Sequence, residues 1–266
     1  MTASPPFLSA PAATIAPGTL LATVGVTTTS GVFDFAARAA DPVVSALGGD
    51  AQVRSAHVSL VPGADVPAGT SVTVQAEATV TALLPSRAGT VAEVAVTLTE
   101  SPSAEVPTDL ARRVGTVELS LLTALTEPSA AAGPGSRPWA TLLDERLRSD
   151  EEFAQLIETY DGTIGLRIAG REVHIRCYRG QVLEVAPRSI NGADFIVDMS
   201  GAEFVALMTG PANTFMESAM QRRLSSSGSG YEYLRMTTAL IRIIDVCRAI
   251  AADDGWGHPA QNGATA

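Results

Sequence analysis

Between Thr70 and Leu84 the chain alternates without a break: Val72, Val74, Ala76, Ala78, Val80 and Ala82 take one side, and Ser71, Thr73, Gln75, Glu77, Thr79 and Thr81 the other. A period of two held this long predicts a strand with one buried and one polar face. Thr90–Glu100 repeats the pattern with Ala92, Val94, Val96 and Leu98 inward, and Leu20–Thr27, Ala51–Leu60 and Thr116–Leu122 supply further strands. Only the segment TTTSGVFDFAARAADPVVSALGG, after the first strand, reads as a helix. There Ser30 is a candidate N-cap, Phe33, Ala37 and Ala40 share a face, Pro42 can kink or split the helix, and Gly48-Gly49 ends it. A strand, a central helix and a run of antiparallel strands is an α+β order.

EPSAAAGPGSRP, Glu127–Pro138, interrupts the pattern and reads as a linker. Beyond it Pro138–Arg148 is helical, and Ser149–Tyr160 is a second helix. Ser149 or Asp150 caps it, Glu151 and Glu152 lie in its first turn, and Phe153, Leu156, Ile157 and Tyr160 lie on one face. The period then returns to two. Ile164, Leu166 and Ile168, then Val173, Ile175 and Cys177, then Leu183 and Val185 form a three-strand meander turning at Gly170 and at Arg179-Gly180. Asp194–Met199 is a fourth strand, and Ser200 caps a helix, SGAEFVALMTG, that stops at Gly210-Pro211. A short helix around Asn213–Gln221, an edge strand Arg222–Ser227 and one long helix Tyr231–Ala252 complete the order. The expected division is a tail 1–17, a domain 18–122, a linker 123–139, a domain 140–252 and a tail 253–266.

Composition narrows the function. Hydrophobic residues make up 46% of the 266 positions and charged residues 17%, with a mean hydropathy of +0.20, which is the profile of a folded globular chain. No apolar run approaches the roughly 18 residues that span a bilayer, since Ala239–Ala252 is broken by Arg242, Asp245 and Arg248. The N-terminal MTASPPFLSAPAATIAPG lacks the basic start of a secretory signal, so the expected location is the cytoplasm. All 18 basic residues are arginines, against 28 acids, giving a net charge of −10. That balance offers no basic footprint for nucleic acid. The absence of lysine excludes Schiff-base, pyridoxal phosphate and phosphate-loop lysine chemistry. Cys177 and Cys247 lie far apart, and His57, His174 and His258 have no metal-binding spacing, so no metal or cofactor is expected. His174, beside Glu172 and Arg176, is expected on a solvated, salt-linked face.

The first domain, with PAGTSVTVQAEATVTALLPSRAGTVAEVAVTLTE as its longest piece, resembles the hotdog fold of acyl-thioesterases and dehydratases over residues 18–122, with Pro67, Gly69 and Val72 at the turn that opens a strand. The resemblance implies a homodimer paired through this domain. The chain departs from active members of that family. Thr29-Ser30-Gly31 stands where a His-Gly-Gly opening is usual, and Arg38 lies near the place of the acidic residue. Asp34 and His57 are the substitute acid/base candidates. The alternative is that Asp34 favours the helix N-terminus electrostatically and His57 is an ordinary strand residue.

The second domain resembles the sterol carrier protein type 2 family over residues 140–252. The resemblance rests on element order, on Ala193-Asp194, Ser200, Phe204, Leu207 and Gly210, and on AMQRRLSSSGSGYEYLRMTTALIRII as the closing element, where Gln221 or Arg222 replaces a common glycine. It implies an α+β fold whose helices and sheet enclose a tunnel for an apolar ligand. Phe195 falls in a strand that would line it. Phe204, Leu207 and Met208 fall in one short helix, Phe215, Met216 and Met220 in the next, and Leu234, Met236 and Leu240 in the last. Tyr231 and Glu232, at the tunnel's mouth, are further candidates for proton transfer. Three readings follow: a carrier of a lipid, acyl or polyketide-like molecule, an enzyme acting on one (thioester hydrolase, dehydratase, cyclase or isomerase), or a structural subunit of an assembly.

Overall fold

The computed structural model describes residues 15–28, 40–47, 51–60, 72–100, 113–124, 127–189 and 192–257. The chain divides into two units, Met1–Pro128 with Gly257–Ala266, and Ser129–Trp256. Unit 1 contains β1 (Leu20–Thr28), a helical stretch α1 (residues 40–46), β2 (Gln52–Leu60), β3 (Val72–Ser86), β4 (Gly89–Glu100) and β5 (Arg113–Thr123). Its sheet is antiparallel throughout, in the order β1-β3-β4-β5-β2. The predicted alternation is present in β3, where Val74, Ala76, Ala78 and Val80 are buried and Glu77 is exposed. A register shift between Val80 and Ala82 ends it, after which Thr81, Ala82 and Leu83 are all buried. Of the predicted helix, Val43 is fully buried, whereas Ser30, Phe33, Asp34 and Ala37 lie outside the described residues. Strand β2 is an edge, and residues 52–57 are exposed on both of its faces.

Unit 2 runs α2 (Arg137–Arg148), α3 (Glu151–Leu156), β6 (Asp161–Ile168), β7 (Arg171–Tyr178), β8 (Gln181–Ala186), β9 (Phe195–Met199), α4 (Gly201–Thr209), α5 (Phe215–Met220), β10 (Leu224–Gly228), α6 (Gly230–Arg235) and α7 (Thr237–Asp253). Its sheet order is β10-β9-β6-β7-β8, with β6 and β9 parallel and the other pairs antiparallel. The two meander turns are Ala169-Gly170 and Arg179-Gly180, each with both residues at positive φ, the geometry that matches the twist of a tight hairpin. One sheet face is apolar and closed: Ile164, Leu166 and Ile168, Val173, Ile175 and Cys177, and Phe195, Val197 and Met199 are all buried. Helix starts follow the sequence. Ser136, Asp150, Ser200 and Ser229 accept the N–H groups of Trp139, Phe153, Glu203 and Glu232.

Four expectations differ from the structure. Residues 131–135 of the anticipated linker are buried within unit 2, where Ala131 joins the core. Trp256, placed in a tail by the sequence, is buried as well, because its indole packs edge-on against Phe204 at 6.2 Å. The long final helix is two helices broken at Met236. Met236 is in the core and Leu234 in water, the sides that the helical period also gives them relative to Ile243 and Cys247. His174 is 2% exposed rather than solvated. Its register neighbours are Gly165 and Ala186, which leave room for the ring, and Ser189 N–H donates to Nδ1 at 3.0 Å.

Candidate functional site

The ten residues expected to line a tunnel separate into two groups. Phe195, Phe204, Leu207, Met208, Phe215, Met236 and Leu240 are buried. Phe204 sits between two indoles, edge-on to Trp139 at 5.9 Å and to Trp256 at 6.2 Å, so its ring fills core. Phe195, on β9, meets Tyr233 of α6 edge-on at 6.0 Å. The other three are out in water: Met216 is 41% exposed, Met220 73% and Leu234 72%, and they are joined by Tyr231 at 73%. All four lie on α5 and α6, the six-residue helices flanking the edge strand β10.

Polar contacts hold these short helices in place. On the α5 side Glu203, buried in α4, accepts the Ser218 hydroxyl at 2.5 Å and lies 3.4 Å from the Arg223 guanidinium. On the α6 side Ser229 N–H donates to the Asp194 carbonyl at 2.7 Å, and Arg235 donates to the Thr159 carbonyl at 2.8 Å. The Asp194 carboxylate accepts the Tyr160 hydroxyl at 2.9 Å and Thr163 N–H at 3.0 Å. Gly162 is required there, because a Cβ would lie 2.1 Å from Asp194 Oδ2 and 2.4 Å from the Tyr160 ring. Burial, and then Asp194, push the Tyr160 phenol well above its ordinary value. Arg248 of α7 donates to the Leu207 and Gly210 carbonyls and so closes the C-terminus of α4. Sequence patterns find Asp194 as a strand residue and Ser200 as a cap. The partners Tyr160, Ser218 and Arg248 are set by tertiary approach and carry no local signal.

Little chemistry is assembled around the proposed proton-transfer residues. Asp34 lies outside the described residues, and His57 is exposed on edge strand β2 opposite Glu118. Tyr231 is exposed, and the Glu232 carboxylate is engaged by Arg235 at 3.2 Å. Among the described residues no three His, Cys, Asp or Glu side chains are grouped to hold a metal. Cys177 and Cys247 are buried, and desolvation raises both thiols, Cys177 to about 12. A cleft of about 240 Å³ is lined by Arg146, Ser149, Asp150, Arg242, Asp245, Val246 and Ala249, none of them a candidate lining residue. Its arginines are paired, Arg242 with Asp150 at 2.8 Å and Glu152 at 3.0 Å, and Arg146 with Asp253 at 2.6 Å.

No family model matches the chain, and no curated protein matches it. Solved structures do. The chain is similar to sterol carrier protein 2, at 15% identity over 43% of this chain and 97% of that one, with a TM-score of 0.38. It is also similar to a conserved hypothetical protein, possibly sterol carrier protein, from Thermus thermophilus, at 16% identity over 43% of this chain and 87% of that one, TM-score 0.36. Sterol carrier protein 2 from Yarrowia lipolytica in its apo form matches at 16% identity over 42% and 90%, TM-score 0.31.

Proposed function

We propose that unit 2 is a carrier domain for an apolar small molecule, a lipid, acyl or polyketide-like chain, received beneath α6 against Phe195, Met236 and Leu240. The observation that carries this reading is α6 itself. It follows the edge strand of a sheet whose inner face is apolar, yet none of its residues is buried and Leu234 is 72% exposed. What holds α6 is the Tyr233 ring on Phe195 and the contacts of Ser229 and Arg235. Displacing Tyr233 uncovers Phe195 at little cost in packing, and an acyl chain replaces the lost contact and covers the exposed side chains. Full burial of a leucine or methionine side chain is worth about 1.5–3 kcal/mol, enough for a few such residues to retain a lipid.

Unit 1 is the dimer-forming part in this reading, a hotdog-like sheet that pairs with a second copy. Its support is the edge of β2, nine residues long and unpaired among the described residues, with Arg54 as its one charged side chain. An enzyme reading finds less support, since Glu232 is held by Arg235 and Tyr231 faces water. Native mass spectrometry of protein purified from its own host tests the carrier reading: a retained apolar molecule is expected, together with binding of a fluorescent long-chain acyl probe after delipidation. Protein that emerges empty and ignores the probe ends it.

A further inference from the structure

Strand β10 is an edge, paired only with β9 among the described residues, and its Ser225, Ser226 and Ser227 are exposed. Two arginines precede it. Arg222 stands at φ 57, in the left-handed region that favours glycine. It closes α5 in a Schellman turn, with Arg222 N–H on the Ala219 carbonyl at 3.1 Å and Arg223 N–H on the Ser218 carbonyl at 2.9 Å. The Arg223 guanidinium is drawn to Glu203 at 3.4 Å and donates to Gln221 at 2.6 Å, and Arg235 is held by Glu232 at 3.2 Å. The Arg222 side chain has no ion pair or hydrogen bond among the described residues, and neither has the Ser225 hydroxyl. The fold thus gives no reason for an arginine in a glycine conformation, three residues before an exposed hydroxyl on an extended edge.

We propose that Ser225 is a phosphorylation site for a protein serine kinase that reads Arg222. An extended, exposed strand suits a groove that binds its substrate as an extended segment, and a carboxylate in that groove takes the Arg222 guanidinium as a bidentate pair. The γ-phosphoryl group of ATP passes to Ser225 Oγ: the O–P bond forms as the bond to ADP breaks, and the hydroxyl proton goes to the kinase's own base. The site does not depend on the carrier role of unit 2. The register gives the phosphate a consequence. Ser225 lies opposite Asp198, Asp198 beside Arg167, and Arg167 opposite Glu172, one row across β10, β9, β6 and β7. Partners in register project from the same sheet face, and Arg167 is already shared between Glu172 at 2.5 Å and Asp198 at 3.0 Å. A phosphate of about −2 charge on Ser225 therefore meets a carboxylate directly across the ladder, and it loosens β10 from β9.

The test is incubation of the folded full chain with a purified arginine-directed protein serine kinase and ATP, followed by mapping of the phosphate by mass spectrometry. A single phosphate on Ser225 is expected. Arg222→Gly should slow its addition at least about tenfold while the melting temperature holds or rises, a split that a purely structural role for this residue does not produce. Ser226→Ala should be modified like the parent. Hydrogen exchange reads the consequence: the ladder amides between β9 and β10 should exchange at least about tenfold faster once Ser225 is phosphorylated. In Asp198→Asn, where the opposing charge is gone, phosphorylation should leave that exchange unchanged. A folded chain that takes no phosphate, a phosphate that lands elsewhere in the parent, or Arg222→Gly modified at the parental rate overturns the site. Unchanged exchange in the phosphorylated parent overturns the loosening of β10.

Discussion

Replacing Phe204 by alanine measures whether the centre of unit 2 is core or cavity wall. The ring is fully buried and stacked edge-on between Trp139 and Trp256. Deleting a buried phenylalanine costs about 3–5 kcal/mol, and two edge-to-face pairs of about 0.5–1.5 kcal/mol each beyond their buried area place this site in the upper part of that range. With a urea slope of about 2 kcal/mol per molar, the midpoint should fall by about 2 M. The assay is built into the chain, because Trp139 and Trp256 are its two tryptophans and both touch Phe204. Intrinsic fluorescence therefore follows the unfolding of unit 2 alone. A double-mutant cycle with Trp256→Ala should show coupling on the order of 0.5–1.5 kcal/mol. A midpoint lowered by less than about 0.5 M in ligand-free protein refutes the packing argument, because a ring bordering an empty tunnel has few contacts to lose on that side.

Three further outcomes follow from the buried and charged groups. Cys177, pushed up to about 12 by desolvation against the opposing Arg176 charge, and Cys247, also raised, should resist a thiol reagent at neutral pH until urea unfolds unit 2; labelling of the native protein contradicts their burial. The Arg167 guanidinium at 2.5 Å holds the Glu172 carboxyl below its usual range, so its stabilisation is present above the ordinary carboxylate value and fades as pH falls through the lowered one. Arg167→Ala should thus lower the urea midpoint near neutral pH and match the parent in acid, and a gap independent of pH rejects this. Tyr160 is raised, so its contribution is intact below the ordinary phenol value of about 10 and is lost as pH climbs towards the folded value. In an ultraviolet titration the folded parent and its Tyr160→Phe variant should give the same absorbance change, and an extra ionisation in the folded parent counts against the Asp194 contact.

Most of the architecture was legible because local signals and tertiary packing agree. The alternation in Val72–Ala82, the glycines of the two meander turns and the serine at position 200 each impose a local conformation that the fold then uses. The failures share a cause. His174 shares a strand face with Glu172 and Arg176, so a period-two reading puts it in water, whereas its small register neighbours Gly165 and Ala186 and the contact from Ser189 bury it. Trp256 follows a stretch of small and acidic residues, and its burial depends on Trp139 and Phe204, which lie far away in sequence. The tunnel candidates were chosen by element, and an element cannot say which side chain faces inward. Phe204 and Met216 fall in consecutive short helices, yet one is closed between indoles and the other is 41% exposed.

Departures from local preference occur in two parts of unit 2, the meander turns, where Ala169 and Arg179 take positive φ, and the stretch around Arg222. In that stretch Arg222 occupies a glycine conformation at a cost of about 1 kcal/mol, and Met220 and Leu234 are exposed. Elsewhere in the unit caps, turns and alternation are consistent with the fold, as expected of a sequence with one well-separated native state. The twist of the tight hairpins accounts for the positive φ of the meander turns, whereas no packing contact accounts for the exposure of Met220 and Leu234. The cap contact of Ser229 and the Glu203–Ser218 bond are intact on either side of Arg222. The chain between Ser218 and Ser229 is therefore anchored on both sides and exposed between them, the arrangement that the proposed carrier role asks of a cover over an apolar molecule.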